Sequence, residues 1–411
     1  MITGCGAISP NGLGRESFWQ SCRTGVSGVR QIGLFDPSPF SCQIAGEISG
    51  FEPHNYLSAK ERSHVSRAVP LAIAAAMEAL EDARLLPEQL DIEQRRRFGV
   101  ILGTGGGGFE FTERMYALWY GGESKKASVY TIASSTHGTL SSELSMRFSL
   151  RGMSHVVSTG CTSSTDALGY ALMTIRQGRA DRILAGGVDA PIAPGILAAF
   201  CLMRVVTPSW NHSPAQGSRP FSRDRDGFVL GEGAWMVIVE EREAALARGA
   251  KIYAEVAGYG STCEAYHRVR LDENGEESAR AMSLALDDAG VRPDEIDYIN
   301  LHGTGTAIND RIETRAIRRA FGSRADQLAC SALKSMIGHP QGACGAAGVA
   351  ETLLAMRDSH IPPTINLEAA DPECDLDYVP NSGRSSPLRA ALCNCIGFGS
   401  KNSALVLLRS C

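Results

Sequence analysis

The sequence predicts an α/β fold, and two observations lead to this prediction. Segments typical of strands alternate with segments typical of helices along almost the whole chain. Two helical segments rich in small residues, one from Gly160 and one from Gly342, also resemble each other, which suggests a duplicated fold. The 411 residues are 44% hydrophobic, enough for one large core or for two packed halves.

The predicted strands and helices alternate along the chain. A first strand is predicted at the N-terminus, MITGCGAISPNG, and it is followed by predicted strands in residues 96–105, 154–160, 181–189, 234–241, 253–262, 296–306, 391–400 and 403–410. Helical periodicity marks residues 66–85, 242–250 and 277–290, and further helices begin near Cys161 and Gly342. Glycine or charged residues end most of the strand segments, which is typical of α/β connections.

Composition and charge exclude several functional classes. The net charge of -5 comes with neither a basic stripe nor a charged tail, so we expect no binding to nucleic acid. The most apolar window, residues 182–203, is interrupted by Asp189, Pro191 and Pro194 and should not span a membrane. The N-terminus has no signal-peptide pattern, and we expect a soluble, cytoplasmic protein.

The twelve cysteines lack the paired spacing of a zinc site or a disulfide framework. Cys393 and Cys395 are the only close pair, and we expect their side chains on opposite faces of one strand. The cysteines are therefore interpreted as reduced cytosolic thiols, with no metal site.

Four segments carry residues suited to catalysis. STGCTSS places Cys161 between a strand and a helix, where unpaired N–H groups and the helix dipole favour a thiolate. NLHGTGT contains His302 at the end of an apolar strand. SALKSMIGHPQGACGAAG contains Lys334 and His339, and IGFGSKNS is a glycine turn with Phe398 at its centre.

Each segment also has a purely structural interpretation. Cys161 can be a buried packing residue, since free cysteine is among the most buried residue types. His302 can be a structural histidine, Lys334 a surface charge, and GFG a tight turn. The glycine-rich segment 103–109 lacks the Lys-Ser/Thr of a Walker motif, so we assign no nucleotide to it.

Together these segments resemble the elongating β-ketoacyl synthases, the condensing enzymes of fatty acid and polyketide synthesis. The resemblance covers essentially the whole chain and includes RPFSRDRDGFVLGEGA and IPPTINLEAADPECDLDYVPN. It implies the thiolase fold, a duplicated five-layered α-β-α-β-α sandwich, with an N-terminal half of residues 1–248 and a C-terminal half of residues 249–411. It is closest to the synthase II branch and to ketosynthase subunits of type II polyketide systems.

The resemblance implies a role for each catalytic candidate. Cys161 would carry the acyl chain as a thioester, and its backbone N–H and that of Phe398 would form the oxyanion hole. His302 and His339 would stabilise the enolate that forms when a malonyl thioester loses CO₂. Lys334 would hold the histidine geometry and charge state. Glu351, on the following helix, matches a family carboxylate thought to partner the lysine.

Substrate contacts are implied in the same way. Thr304 and Thr306 match threonines that hydrogen-bond the pantetheine amides. Gly106 stands where other members carry a bulkier residue at the acyl-pocket wall, which predicts a deeper pocket for medium or long chains. The carrier protein is acidic in this family, and the candidates for a basic docking patch are Lys60, Arg62, Arg67 and Arg204.

Two segments depart from the family pattern. The usual GFGG turn reads GFGS here, with Ser400 in place of the second glycine and Lys401 adding a charge near the pocket entrance. In the loop AYHRVRLDENGEES, Val269 stands where relatives have a pantetheine-binding threonine, and Arg268 and Arg270 add charge. Ordinary loop variation and a specialised carrier protein or polar acyl chain both remain open as explanations.

The resemblance predicts a β-ketoacyl-acyl carrier protein synthase that binds no cofactor itself and receives its substrates on phosphopantetheine. It predicts a dimer, either a homodimer of fatty acid elongation or a heterodimer with a chain-length-factor-like subunit in a polyketide or polyene pathway, which we favour. A non-catalytic partner subunit is a remote alternative, since such relatives lack the cysteine. Initiating synthases and thiolases have a different set of catalytic residues.

Overall fold

The computed structural model describes residues 1–410. Its strands are β1 (Ile2–Ser9), β2 (Gly12–Leu13), β3 (Arg30–Gln31), β4 (Ile44–Gly46), β5 (Phe98–Gly103), β6 (Ser154–Val157), β7 (Arg182–Asp189), β8 (Leu230–Gly231), β9 (Gly233–Glu240), β10 (Ala254–Cys263), β11 (Tyr298–Asn300), β12 (Ala329–Ser331), β13 (His360–Ile361), β14 (Arg384–Ser385), β15 (Ala390–Gly397) and β16 (Lys401–Arg409).

The helices alternate with these strands, as the sequence predicts. They are α1 (Arg15–Thr24), α2 (Ala59–Arg62), α3 (Ala68–Asp82), α4 (Ile92–Arg96), α5 (Phe109–Tyr120), α6 (Thr131–Ser135), α7 (Thr139–Phe148), α8 (Ser163–Arg176), α9 (Pro194–Met203), α10 (Arg242–Ala247), α11 (Glu276–Ala289), α12 (Ala307–Phe321), α13 (Lys334–Ile337) and α14 (Cys344–Asp358). Within residues 1–410, none of these helices has the length and apolar character needed to cross a membrane.

The main sheet consists of two five-stranded halves with the same topology. They run β1-β9-β7-β5-β6 and β10-β16-β15-β11-β12, and they meet where Ile2 of β1 pairs with Ala254 of β10. In both halves the first three strands are antiparallel and the last three are parallel. This repetition accounts for the internal similarity in the sequence.

Helices form three layers around the two half-sheets. α3 packs on β1 and β9, and α11 packs on β10 and β16, while α8 and α14 contact strands of both halves. Residues 344–356 of α14 are all buried. A Cβ on Gly345 would lie 2.1 Å from Oγ1 of Thr165, so the two central helices approach closely only because glycine stands there. The predicted α-β-α-β-α sandwich is confirmed, whereas its division at residue 248 stays a prediction.

One expectation about the cysteines was wrong. Cys393 and Cys395 lie on the same face of β15, where Cys393 Sγ contacts Thr352 (3.4 Å) and Cys395 Sγ contacts Cys344 (3.5 Å), both on α14. The reason is the two-residue period of a strand, which places residues i and i+2 on one side. The cysteines of residues 1–410 are free thiols.

Candidate active site

The four predicted segments lie close together because each follows the carboxyl end of a strand in the main sheet. β11, β12 and β15 are parallel neighbours, so the residues that follow them emerge at one edge of the sheet. His302 follows β11, Lys334 and His339 follow β12, and Phe398 follows β15. Cys161 follows β6, the strand that corresponds to β12 in the other half of the sheet.

Cys161 lies in a single 3₁₀ turn, Gly160–Thr162, immediately before α8. Its side chain is buried, and the nearby backbone N–H of Phe398 acts to lower its pKa. Burial raises the pKa of Cys161 to about 12, with a further increase from the neighbouring Cys344. Desolvation therefore outweighs the effect of the helix dipole, and the resting Cys161 is a neutral thiol.

Cys161 and the two histidines form a compact triangle. Sγ of Cys161 and one ring nitrogen from each of His302 and His339 all lie within 4.8 Å of one another. The centroids of the two imidazole rings are 5.4 Å apart and their planes meet at 84°. Both histidines are buried. Such a triangle can hold a thioester carbonyl between a nucleophile and two N–H donors.

The hydrogen bonds of the ring nitrogens indicate which nitrogen of each imidazole carries the proton. Nδ1 of His339 accepts from the backbone N–H of Gln341 (3.1 Å), so the neutral ring carries its proton on Nε2. Nδ1 of His302 lies 3.4 Å from Nζ of Lys334, which leaves Nε2 as the other potential donor. Both histidines are thus arranged to present an Nε2–H.

Lys334 is buried and acts on both histidines. Its Nζ donates to the carbonyl oxygen of His302 at 2.5 Å, which fixes the start of the HGTGT loop. Burial, together with the positive charge of Lys334, lowers the pKa of His302 and of His339 well below the usual value. Both rings are therefore neutral near pH 7.

A cavity of about 260 Å³ leads from Cys161 and the histidines to the surface. Its walls are mainly apolar and include Phe228, Leu271 and Phe398, while Arg204 and Arg270 also line it. Both arginine side chains are exposed, which places positive charge at the mouth of the cavity.

Two buried carboxylates that support this site were missed by the sequence analysis. Glu313 on α12 accepts from the backbone N–H groups of His302 (2.7 Å) and Gly303 (2.8 Å). Burial raises the pKa of Glu313 to about 7. The sequence feature that could have identified Glu313 is its position on the inward face of a helix that is otherwise rich in charged residues.

Asp189 explains the glycine-rich segment 103–109. Its carboxylate accepts from the backbone N–H groups of Gly105 (2.7 Å), Gly106 (2.9 Å) and Gly342 (2.7 Å). The loop thus surrounds a carboxylate of the protein itself, and it is tied to the segment that follows His339. Asp189 stands at the end of an apolar strand, which could have marked it in the sequence.

Comparison with known proteins agrees with this geometry. Residues 1–245 match the family described as beta-ketoacyl synthase, N-terminal domain, and residues 253–368 match its C-terminal domain. The chain belongs to the β-ketoacyl synthase family. It is therefore a condensing enzyme of the acyltransferase class with the thiolase fold.

Relatives come from two kinds of pathway. The ketoacyl synthase alpha subunit of the tetracenomycin polyketide synthase from Streptomyces glaucescens is 42% identical over 100% of this chain and 96% of its own length. The 3-oxoacyl-[acyl-carrier-protein] synthase 2 of Synechocystis is 38% identical over 98% and 96%. The solved ishigamide ketosynthase/chain length factor superimposes with a TM-score of 0.92 at 35% identity, covering 100% of this chain and 98% of that one.

The predicted substrate-contact residues of this β-ketoacyl synthase lie at different depths. Thr304 and Thr306 line the cavity, with their hydroxyl oxygens 3.0 Å apart. Gly106 does not line it, and a Cβ there would lie 3.5 Å from the ring of Phe109. The proposed part of Gly106 in an acyl pocket therefore stays a prediction.

Glu351 is fully buried on α14, behind the catalytic residues. Its Oε2 accepts from Nδ2 of Asn300 at 2.7 Å. Burial raises the pKa of Glu351 to about 8, although the charge of Lys334 acts in the opposite direction. In this structure Glu351 is thus an electrostatic neighbour of Lys334, and its direct hydrogen bond is to the strand that leads to His302.

The four residues predicted to dock the carrier protein differ in whether their charges are exposed or paired within the fold. Lys60 and Arg62 are exposed on the short helix α2, and Arg204 is exposed at the cavity mouth. Arg67 requires a correction, because its guanidinium makes two hydrogen bonds of 2.8 Å to the fully buried carboxylate of Glu232. Its charge is neutralised within the fold, so we remove it from the docking surface.

Replacement of Arg67 by alanine is expected to destabilise the protein by about 3 kcal/mol, because it leaves the buried Glu232 without its charged partner. The free energy of unfolding in urea measures this effect. Arg62→Ala is the matched control and should change stability by less than about 0.5 kcal/mol. Equal stability of Arg67→Ala and the unmodified protein would contradict the structural role.

The two segments that depart from the family pattern contact each other. Ser400 is buried in a left-handed backbone conformation with φ of 65°. Its hydroxyl accepts from the backbone N–H of His267 (3.2 Å) and donates to the carbonyl of the same residue (3.0 Å). Lys401 begins β16 and pairs with Cys263, so it does not line the cavity. Ser400 thus tethers the Phe398 turn to the loop that carries Arg270.

Ser400→Ala is expected to increase hydrogen exchange of the His267 amide about tenfold, since its hydroxyl's hydrogen bonds with His267 and Tyr266 are lost and correspond to roughly 1–2 kcal/mol. Exchange measured by mass spectrometry on peptides covering residues 264–272 tests this. Lys401→Gln is the control, because it leaves the tether intact. Unchanged exchange in Ser400→Ala would show that the two loops are held together by other contacts.

Proposed function

We propose that this β-ketoacyl synthase condenses malonyl-acyl carrier protein with an acyl chain held on Cys161, as the ketosynthase subunit of a type II polyketide or polyene pathway. The observation that carries the proposal is the triangle of Cys161, His302 and His339 at the inner end of one cavity. The substrates arrive on the phosphopantetheine of a carrier protein, and the reaction uses no cofactor bound to the enzyme.

The first step is acyl transfer. Sγ of Cys161 attacks the carbonyl carbon of an acyl thioester, the bond to the pantetheine sulfur breaks, and the proton of Cys161 leaves with the carrier thiol. Since burial raises the pKa of Cys161, we infer that proton loss accompanies the attack. We propose that the backbone N–H groups of Phe398 and Cys161 stabilise the oxyanion.

The second step forms the carbon–carbon bond. A malonyl thioester loses CO₂, and negative charge develops on its thioester oxygen. The Nε2–H groups of His302 and His339 donate to this oxygen, which requires each neutral ring to hold its proton on Nε2. The enolate carbon attacks the acyl thioester on Cys161, and the released sulfur takes up one proton. The product is a β-ketoacyl group on the carrier.

Lys334 and Glu313 are positioning residues in this scheme. Both hold the backbone of His302, one through its carbonyl oxygen and one through its N–H. Lys334 also keeps the histidines neutral. Thr304 and Thr306 line the path that the pantetheine arm follows, and we propose that they hydrogen-bond its amides.

The docking of the carrier protein follows from charge. Carrier proteins of this family are acidic, and Arg204 and Arg270 place two exposed cations at the mouth of the cavity. Lys60 and Arg62 add two further exposed cations on α2. We propose that these residues attract and orient the carrier.

Relatives from polyketide and from fatty acid pathways are both similar to this chain over at least 98% of its length. The relative from the tetracenomycin pathway is 42% identical, compared with 38% for the synthase 2 of Synechocystis. The fatty acid elongation homodimer is therefore the second candidate. The converging catalytic groups argue against a non-catalytic chain-length factor, which would need neither Cys161 nor the histidines.

The decisive experiment uses the purified chain with malonyl-carrier protein and a medium-chain acyl-carrier protein, and it reads intact masses of enzyme and carrier. Acylated Cys161 together with a β-ketoacyl carrier supports a self-sufficient homodimer. Acylation without condensation, restored by a chain-length-factor subunit, supports the heterodimer. An enzyme that stays unmodified with several acyl lengths would overturn the proposed nucleophile or carrier.

A further inference from the structure

Two cysteines that the proposed reaction does not use lie directly behind the nucleophile. Sγ of Cys344 and Sγ of Cys395 are 3.5 Å apart, and Sγ of Cys395 lies 3.5 Å from Nδ1 of His302. Both thiols also donate to the carbonyl oxygen of Cys161, at 3.3 Å from Cys344 and 3.1 Å from Cys395. Both side chains are buried. Two thiols, an imidazole nitrogen and a carbonyl oxygen therefore surround one point.

The separations within this group match those around a tetrahedral zinc ion. With Zn–S bonds near 2.3 Å and Zn–N bonds near 2.0–2.1 Å, neighbouring ligand atoms lie about 3.4–3.8 Å apart. The thiol–thiol and thiol–imidazole distances agree with this range to about 0.3 Å. The ligand atoms of His302, Cys344 and Cys395 all lie within 4.8 Å of one another. The carbonyl oxygen of Cys161, which accepts from both thiols, is the candidate for a fourth ligand.

We propose that His302, Cys344 and Cys395 form a binding site for a thiophilic cation, Zn²⁺, which inhibits the enzyme by capturing His302. On binding, the two thiols lose their protons to solvent and two Zn–S bonds form, without oxidation or reduction. The two thiolates neutralise the charge of the ion. Metal binding does not depend on the proposed function, whereas the inhibition does.

The surroundings are compatible with this site. Nζ of Lys334 lies 3.4 Å from Nδ1 of His302, so a metal at that nitrogen requires the ammonium group to move away, and its hydrogen bond to the carbonyl oxygen of His302 gives it a partner there. Cys161 and His302 line the cavity, so an ion that enters it comes within reach of one of the three proposed ligands. Zn²⁺ at Nδ1 would lock the ring of His302 and hold the backbone of Cys161.

The test measures metal rather than activity. Reduced protein is incubated with Zn²⁺ and desalted, and its metal content is determined. Co²⁺ in a parallel titration reports thiolate ligands by its charge-transfer absorption. We expect one equivalent in the unmodified protein, loss of at least tenfold in affinity in Cys344→Ala and Cys395→Ala, and no change in Cys263→Ala, which removes an exposed thiol.

A second variant separates this site from the neighbouring triangle of Cys161, His302 and His339. Cys161→Ala keeps its carbonyl oxygen and should retain one equivalent of metal with thiolate absorption. Loss of metal in Cys161→Ala, or its retention in the Cys344→Ala/Cys395→Ala double variant, would overturn the proposal. Thermal unfolding shows that each variant is folded, and if the double variant is not, the two single variants decide the question.

Discussion

Cys161→Ala will not accept an acyl group from any acyl-carrier protein, and its condensation rate will fall by about 10³-fold or more. The reason is that Sγ of Cys161, the proposed nucleophile, lines the cavity and lies within 4.8 Å of a ring nitrogen of each of the two histidines. Intact mass spectrometry after incubation with an acyl-carrier protein measures the loss of the acyl-enzyme.

The same variant should still release CO₂ from malonyl-carrier protein. His302 and His339 are held by Lys334, Glu313 and the Gln341 N–H, none of which depends on the thiol of Cys161. Decarboxylation can therefore be followed separately, as conversion of malonyl-carrier to acetyl-carrier. Cys263→Ala, which removes an exposed thiol, is the matched control and should acylate normally. An acyl-enzyme in Cys161→Ala would place the nucleophile elsewhere.

His302→Ala and His339→Ala will each lower the rate of condensation by about 10²–10³-fold, because each removes one N–H donor to the developing oxyanion. Acylation of Cys161 should be affected far less, since the oxyanion hole of that step is formed by backbone N–H groups. The measurement is a split assay, with acyl-enzyme formation read by intact mass and decarboxylation read on the carrier.

A conservative replacement distinguishes donation from packing. His339→Asn retains an N–H donor of similar reach and should recover part of the lost rate, whereas His339→Leu fills the space and should not. The lowered pKa of both histidines also predicts that condensation shows no histidine titration near pH 6.5, since both rings stay neutral through that range. A rate that falls on protonation near pH 6.5 would contradict neutral donors.

Positioning of the histidines is a separate requirement from their chemistry. Lys334 donates a hydrogen bond to the carbonyl oxygen of His302, and Glu313 accepts one from the backbone N–H of His302. The backbone of His302 is therefore held by both residues. In contrast to the histidines, neither residue lies where it would donate to the enolate. We propose that they hold the neutral, Nε2-protonated rings at the end of the cavity, whose walls are mainly apolar.

The sequence alone was sufficient to predict the fold class, the duplication and the residues that converge on the cavity. Strand periodicity, glycine turns and sequence motifs are local properties of the chain. The carboxyl ends of neighbouring parallel strands lie at the same edge of a sheet. Cys161, His302, Lys334, His339 and Phe398 were predicted from their motifs and from the resemblance to the elongating β-ketoacyl synthases. Their catalytic roles remain proposals that the variants above test.

Only the tertiary structure decided the features that depend on partners distant in the chain. Arg67 is neutralised by Glu232, Ser400 holds a loop more than a hundred residues away, and Cys344 lies against Cys395. The charge state of Cys161 belongs here as well, because the helix dipole can be read from local sequence but the desolvation that outweighs it cannot. Burial is a property of the whole packed chain, and it determined which of the predicted charges are available for function.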